Sequence, residues 1–167
     1  KIERKQRKII ISLGGTDYFN LIKNIPNDLS QSLKIPYKID LLVGPFAKKP
    51  KKNKNLKINF LQNKKNINYL SKYSLGIVLF GVSFFELLIY KIPCIILIPP
   101  RKEDSYLIKK LKNYNFLIAS NLNESIKKLN MIANNKKYKK KFISFSRKIK
   151  LSNRKIFYEK LFNLNNM

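Results

Sequence analysis

Apolar residues along this 167-residue chain fall in short blocks, most of them closed by a glycine or a proline, with helically spaced segments between them. The first block, IIISL at 9–13, is β-branched and runs into Gly14-Gly15-Thr16-Asp17, the pattern of a buried strand entering a tight turn. Further strands are expected at 37–43 (YKIDLLV, ended by Gly44-Pro45), 56–61 (LKINFL), 76–80 (GIVLF, ended by Gly81), 94–98 (CIILI, ended by Pro99-Pro100) and 116–119 (FLIA). Between them the spacing predicts a helix over 18–33 interrupted by Pro26, and a short one over 67–73 (INYLSKY). It predicts others over 83–90, with Ser83 placed as N-cap, and over 105–113. From Asn121 onward the pattern is helical and rich in lysine.

Strands alternating with helices argue for an α/β fold, a Rossmann-like doubly wound parallel sheet built from βαβ units. In the common strand order 3-2-1-4-5-6 the first and fourth strands are neighbours. Their C-terminal ends then flank the topological switch point, where open α/β sheets bind ligands. The turns at Gly14-Gly15 and at Gly81 fall at those two ends.

Composition changes this picture less than its loudest number suggests. The formal charge is +27, from 36 basic and nine acidic residues. Only five of the basic residues are arginine, and the lysines are spread along the chain. Asn, Ile, Tyr and Phe are abundant too, a joint bias that reads as a codon preference rather than as a nucleic-acid interface, so no nucleic-acid partner is expected. The charge still attracts phosphates, and it leaves room for peripheral contact with an anionic membrane. No apolar run is long enough to span a bilayer. The single cysteine, Cys94, excludes an internal disulfide and fits a reducing compartment, hence a cytoplasmic location. With no histidine, no metal site is expected, and no cofactor is implied.

Few residues are left to carry chemistry. Gly14 and Gly15 permit close backbone approach to a ligand, and N–H groups at the following helix start suit a phosphate. Thr16 adds a hydroxyl and Asp17 a carboxylate, although Asp17 serves equally as an N-cap. Glu86, inside the apolar VSFFELLIY, needs a partner or a cleft. One turn into a helix that starts at the switch point, it is placed to accept two hydrogen bonds from a ribose diol. An ion pair with a lysine is the plainer alternative. Glu103 and Asp104 follow the fifth strand and either reach the same crevice or cap the next helix. Arg101 is either a phosphate contact or a solvated loop residue, and Cys94 reads as core.

The segments SLGGTDYFNL and LFGVSFFELLIYKIPCIIL, together with the tail SFSRKIKLSNRKIFYEKL, resemble the C-terminal domain of the glycosyltransferase family 28 / GT-B group, the UDP-GlcNAc-transferase-like proteins. Within it the chain is most similar to the UDP-2,4-diacetamido-2,4,6-trideoxy-β-L-altropyranose hydrolase of the pseudaminic acid pathway and to spore-coat polysaccharide relatives. The resemblance covers nearly the whole chain and implies the C-terminal half of a GT-B fold that binds a UDP-sugar. It implies that Glu86 holds the ribose hydroxyls, that Gly14, Gly15 and Ser83 lie against the diphosphate, that Gly81 and Val82 belong to the same nucleotide-sugar site, and that Thr16 and Asp17 stand near the sugar. It brings Gly44 and the region of Phe60-Leu61 towards the uracil. Three positions depart from the group's pattern: Val82 stands where a small residue is common, Glu103 or Asp104 where a glutamine is common, and Ser152-Asn153 where an Asp-Gly is common.

The resemblance also implies that catalytic groups belong to an N-terminal half, a missing domain or partner subunit. Residues 1–8 then read as a remnant of the interdomain linker and 9–167 as the nucleotide-sugar domain with its closing helices. The functions implied are sugar-nucleotide hydrolysis or glycosyl transfer in surface-glycan synthesis of the nonulosonic acid type, the isolated chain being inactive. A non-catalytic subunit that holds a nucleotide sugar is the alternative, and a basic protein that binds nucleic acid or a membrane is the third reading.

Overall fold

The computed structural model of the chain describes residues 8–15, 21–22, 25, 29, 33–34, 37–48, 50, 58–62, 67–98 and 105–148. Six parallel strands form one sheet: β1 (Lys8–Ser12), β2 (Lys38–Leu42), β3 (Ile58–Leu61), β4 (Leu75–Leu79), β5 (Cys94–Leu97) and β6 (Leu117–Ala119). Their order is β3-β2-β1-β4-β5-β6. The expected adjacency of β1 and β4 is therefore observed, with Ile11 opposite Ile77 and Ser12 opposite Val78. Strand boundaries differ from the sequence expectation by a residue or two. β1 already includes Lys8, paired with Lys38, so the last residue of the expected linker belongs to the sheet; residues 1–7 lie outside the described set.

The sheet is covered on both faces, which is why its central strands read as unbroken apolar runs. Ile9, Ile10 and Ile11 are fully buried, and they alternate between two cores. Ile9 and Ile11 join Ile22, Ile25 and Leu29, whose helical spacing survives in the segment expected to be helical, and also Leu122, Ile126 and Leu129 of helix α3 (Leu122–Ala133). Ile10 faces Leu70, Phe84 and Leu88. Phe84 and Leu88 come from helix α1 (Val82–Ile89), and Leu111 in the same core comes from helix α2 (Ser105–Asn113). Leu70 belongs to a 3-10 helix, Ile67–Lys72, on the link from β3 to β4. Helix α4 (Lys136–Lys148) closes this core at its foot. There Phe142 meets Phe116 at 5.8 Å between ring centres, and the Tyr138 hydroxyl donates to the Cys94 carbonyl over 3.2 Å.

One buried acid is structural. Asp40 on β2 is 3% exposed and accepts hydrogen bonds from the Tyr73 hydroxyl and from Asn59 Nδ2 at 3.4 Å, with Lys72 Nζ at 3.6 Å. These partners offset the desolvation that an isolated carboxylate would suffer.

Candidate functional site

A cleft of about 630 Å³ opens at the C-terminal ends of β1, β2 and β4. The β1 turn contributes Ser12, Gly14 and Gly15, the β2 turn Val43, Gly44 and Pro45, and the β4 turn Leu79, Phe80 and Gly81. Val82, Ser83 and Glu86 come from α1, and Tyr69 from the 3-10 helix. This cleft lies at the switch point expected from the strand order.

Each turn has its own reason for glycine. Gly14 has φ +90° and Gly81 φ +153°, conformations that side chains with a Cβ rarely adopt. At Gly44 the constraint is space. A Cβ there would lie 2.5 Å from the Gly14 carbonyl oxygen and 2.5 Å from the Gly15 carbonyl carbon. The β2 turn is thus seated directly on the β1 turn, and the Phe46 N–H donates to the Gly15 carbonyl at 3.1 Å. Gly44 shapes the cleft wall by allowing two backbones to touch.

Ser83 is not the N-cap of α1. The cap residue is Gly81, and no side chain caps the first turn. Because the helix begins one residue earlier than expected, Ser83 sits inside its first turn, where its Oγ meets Ser12 Oγ at 2.8 Å. That bond ties α1 to the end of β1. The uncapped start of the helix faces the cleft, and amide groups there favour an anion by hydrogen bonding and by the helix dipole.

Glu86 is half-buried and is the only charged side chain among the described residues that line the cleft. Tyr69 stands close enough to sense it. Burial, and secondly the negative charge of Glu86, push the Tyr69 hydroxyl up to about 12. Tyr69 and Ser12 are the cleft residues with polar side chains that sequence reasoning missed. Tyr69 has a topological signal: the link from β3 to β4 must pass over β2 and β1, and so crosses the switch point. Ser12 sits where the apolar run of β1 gives way to polar residues.

The remaining expected residues divide into two groups. Val82 lies on the rim, 71% exposed. Leu61 is buried in the core rather than lining the cleft, as is Cys94, whose thiol burial pushes up. Thr16, Asp17, Arg101, Glu103, Asp104 and Ser152-Asn153 lie outside the described residues. Among the described residues no cluster of His, Cys, Asp and Glu is arranged to hold a metal ion, and no helix is long and apolar enough to cross a membrane.

No protein-family model and no curated protein matches the sequence. Solved structures do match the fold. A spinosyn rhamnosyltransferase, SpnG, aligns over 86% of this chain and 41% of its own, with 13% identity and a TM-score of 0.59. MurG of Acinetobacter baumannii aligns over 86% and 46%, with 18% identity and a TM-score of 0.62. The C-terminal CMP-Kdo binding domain of WaaA from the same species aligns over 87% of this chain and 90% of its own, with 8% identity and a TM-score of 0.58. The chain thus spans less than half the length of the first two, and the architecture is that of one Rossmann-like half of a GT-B fold.

Proposed function

We propose that the chain binds a nucleotide sugar in the cleft between β1 and β4, as one half of a GT-B enzyme whose other half carries the catalytic groups. The observation that carries this reading is the convergence of three features in one cleft. These are the Gly14-Gly15 turn, the uncapped start of α1, and the half-buried Glu86 one turn further on. Amide groups at the helix start would hold a diphosphate, and the Glu86 carboxylate would accept from both hydroxyls of a ribose. Diphosphate held in this way is a better leaving group, because the charge left on the β-phosphate oxygen as it parts from the anomeric carbon meets dipoles already oriented towards it.

The finer reading is a UDP-sugar. It rests on the sequence resemblance, as do hydrolysis by water or transfer to an acceptor hydroxyl, a nonulosonic-acid-type pathway and a cytoplasmic location. In this reading residues 9–167 form the nucleotide-sugar domain. The CMP-Kdo binding domain among the structural neighbours sets the alternative, a cytidine monophosphate sugar.

The test compares UDP with its 2′-deoxy analogue at moderate salt, where nonspecific attraction to a chain of charge +27 is screened. The intact ribose should bind more tightly, and Glu86→Gln should remove most of that preference. The expected loss is on the order of 1–2 kcal/mol, because an amide accepts at only one of its two ends. Equal binding of the two nucleotides by the unaltered protein would reject Glu86 as a ribose ligand. A preference for CMP over UDP would replace the uridine reading while leaving the cleft assignment intact.

A further inference from the structure

Helix α4 lies at the opposite edge of the sheet from the cleft. Its Tyr138 is bonded to Cys94, the first residue of β5, and its Phe142 packs on Phe116, which immediately precedes β6. Both anchors sit at N-terminal strand ends, whereas the cleft sits at C-terminal ends. At 100° per residue, the buried Phe142 and Ser146 and the half-buried Tyr138 and Phe145 share one side of the helix. Lys136, Lys137, Lys140, Lys141 and Arg147 are all exposed and share the other side with Ser144. No acid interrupts that exposed face, and half-buried Ile143 borders it beside Lys136 and Arg147.

An ordinary solvated helix face mixes charges of both signs, because Glu–Lys pairs four residues apart stabilise it. This face does the reverse. Lys136–Lys140 and Lys137–Lys141 are like-charge pairs at that spacing, and the first turn holds Lys136, Lys137 and Lys139 and no acid, against the helix dipole. Each of these features opposes the isolated helix and becomes favourable beside an extended negative surface.

We infer that the exposed face of α4 is a docking surface for an anionic lipid bilayer. A single-signed stripe on a straight 13-residue helix, roughly 20 Å long, suits a flat charged plane. Its aromatic rings are turned into the core and present nothing on which a base could stack. Its cations are four lysines to one arginine, whereas nucleic-acid readers favour the arginine fork. Docked in this way, the domain would turn its cleft away from the bilayer. The inference does not depend on what the cleft binds.

The experiment is co-sedimentation with vesicles of phosphatidylcholine, with and without phosphatidylglycerol, at physiological salt. The protein should bind the anionic vesicles and not the neutral ones. Each basic residue at an anionic surface contributes about five-fold, so Lys136→Gln/Lys140→Gln/Lys141→Gln should weaken binding about 100-fold. The control Lys48→Gln/Lys109→Gln/Lys112→Gln removes the same charge from exposed positions outside α4 and should weaken it by less than about ten-fold. Equal losses in the two variants would overturn the proposal, since attraction would then follow net charge alone. So would a single-stranded RNA that binds with the same α4 dependence while vesicles show none. Circular dichroism of each variant separates loss of binding from loss of fold.

Discussion

The two ends of the sheet are built from different materials. At the C-terminal ends of the strands stand three glycine turns, two serines joined by their hydroxyls, an uncapped helix start and one half-buried acid. None of the chain's 36 basic residues is among the described residues of that cleft. At the N-terminal ends, aromatic rings fill the gap beneath β5 and β6, and a lysine-covered helix closes it. Among the described residues, the lysines of this chain of charge +27 thus stand away from the cleft. What the described cleft offers an anion is fixed backbone dipoles, which add no side-chain entropy loss and hold one geometry. The far end relies on mobile ammonium groups, which suit a partner without fixed geometry.

The sharpest way to break this comparison is to fill the backbone contact on which the cleft stands. Gly44→Ala places a methyl group within 2.5 Å of the Gly14 carbonyl oxygen, a backbone atom that no rotamer change can move. The β1 and β2 turns must then part. A loss of about 3 kcal/mol in urea unfolding is expected, at the upper end of overpacking effects. Gly15→Ala is the control, because its nearest neighbour outside the turn is Pro45 Cδ at 3.9 Å, and it should cost much less. Equal stability of Gly44→Ala and the unaltered chain would mean that the two turns do not touch.

A smaller effect tests whether Tyr69 and Glu86 share the cleft. Glu86→Gln removes the second of the two causes that raise the Tyr69 hydroxyl to about 12 and leaves the first, burial, in place. In an ultraviolet titration of tyrosinate the Tyr69 step should therefore move part of the way towards 10, assigned by its absence in Tyr69→Phe. The direction follows from charge: a neighbouring carboxylate disfavours tyrosinate, so its removal eases deprotonation. No movement would separate the two side chains and take Tyr69 out of the site.

Most of the sheet was legible in the sequence, because strands buried on both faces leave continuous apolar runs and glycine or proline stops are local signals. The strand order was not contained in those runs. It came from the tendency of βαβ units to wind in one way, and the β1–β4 pairing agrees with it. The site was legible where one residue type has one use, as at Gly14 and Gly81, whose positive φ favours glycine. It was less legible where a role depends on a distant partner. Ser83 reads locally as an N-cap, yet its hydroxyl meets Ser12, 71 residues away. Gly44 reads as a turn glycine, yet its constraint is the backbone of another turn. Asp40 drew no notice inside YKIDLLV, because its partner Tyr73 lies 33 residues further along.

The smallest expected effect concerns the lysine-rich end, where Glu124 is the one acid between residues 105 and 148. It closes the start of α3 as part of a reciprocal cap. Asn121 Oδ1 accepts from the Glu124 N–H at 2.9 Å, and Glu124 Oε2 accepts from the Ser120 N–H at 2.7 Å. The bond from Lys128, and then those from Ser120, pull its carboxyl down from 4.5 to about 2. A folded-state value below the unfolded one means stabilisation that is complete above about pH 4.5 and is lost as pH falls towards 2. Because the carboxylate is largely exposed, solvent screening keeps the effect to about 0.5 kcal/mol. Glu124→Gln retains an acceptor for Ser120 and removes the charge. It should unfold at slightly lower urea at pH 7, and the gap should narrow steadily below pH 4.5. Taking the difference between the two proteins cancels the general repulsion that acid adds to so basic a chain. A gap that stays constant from pH 7 to pH 3.5 would show that the cap acts through hydrogen bonds alone, with no contribution from the Lys128 pair.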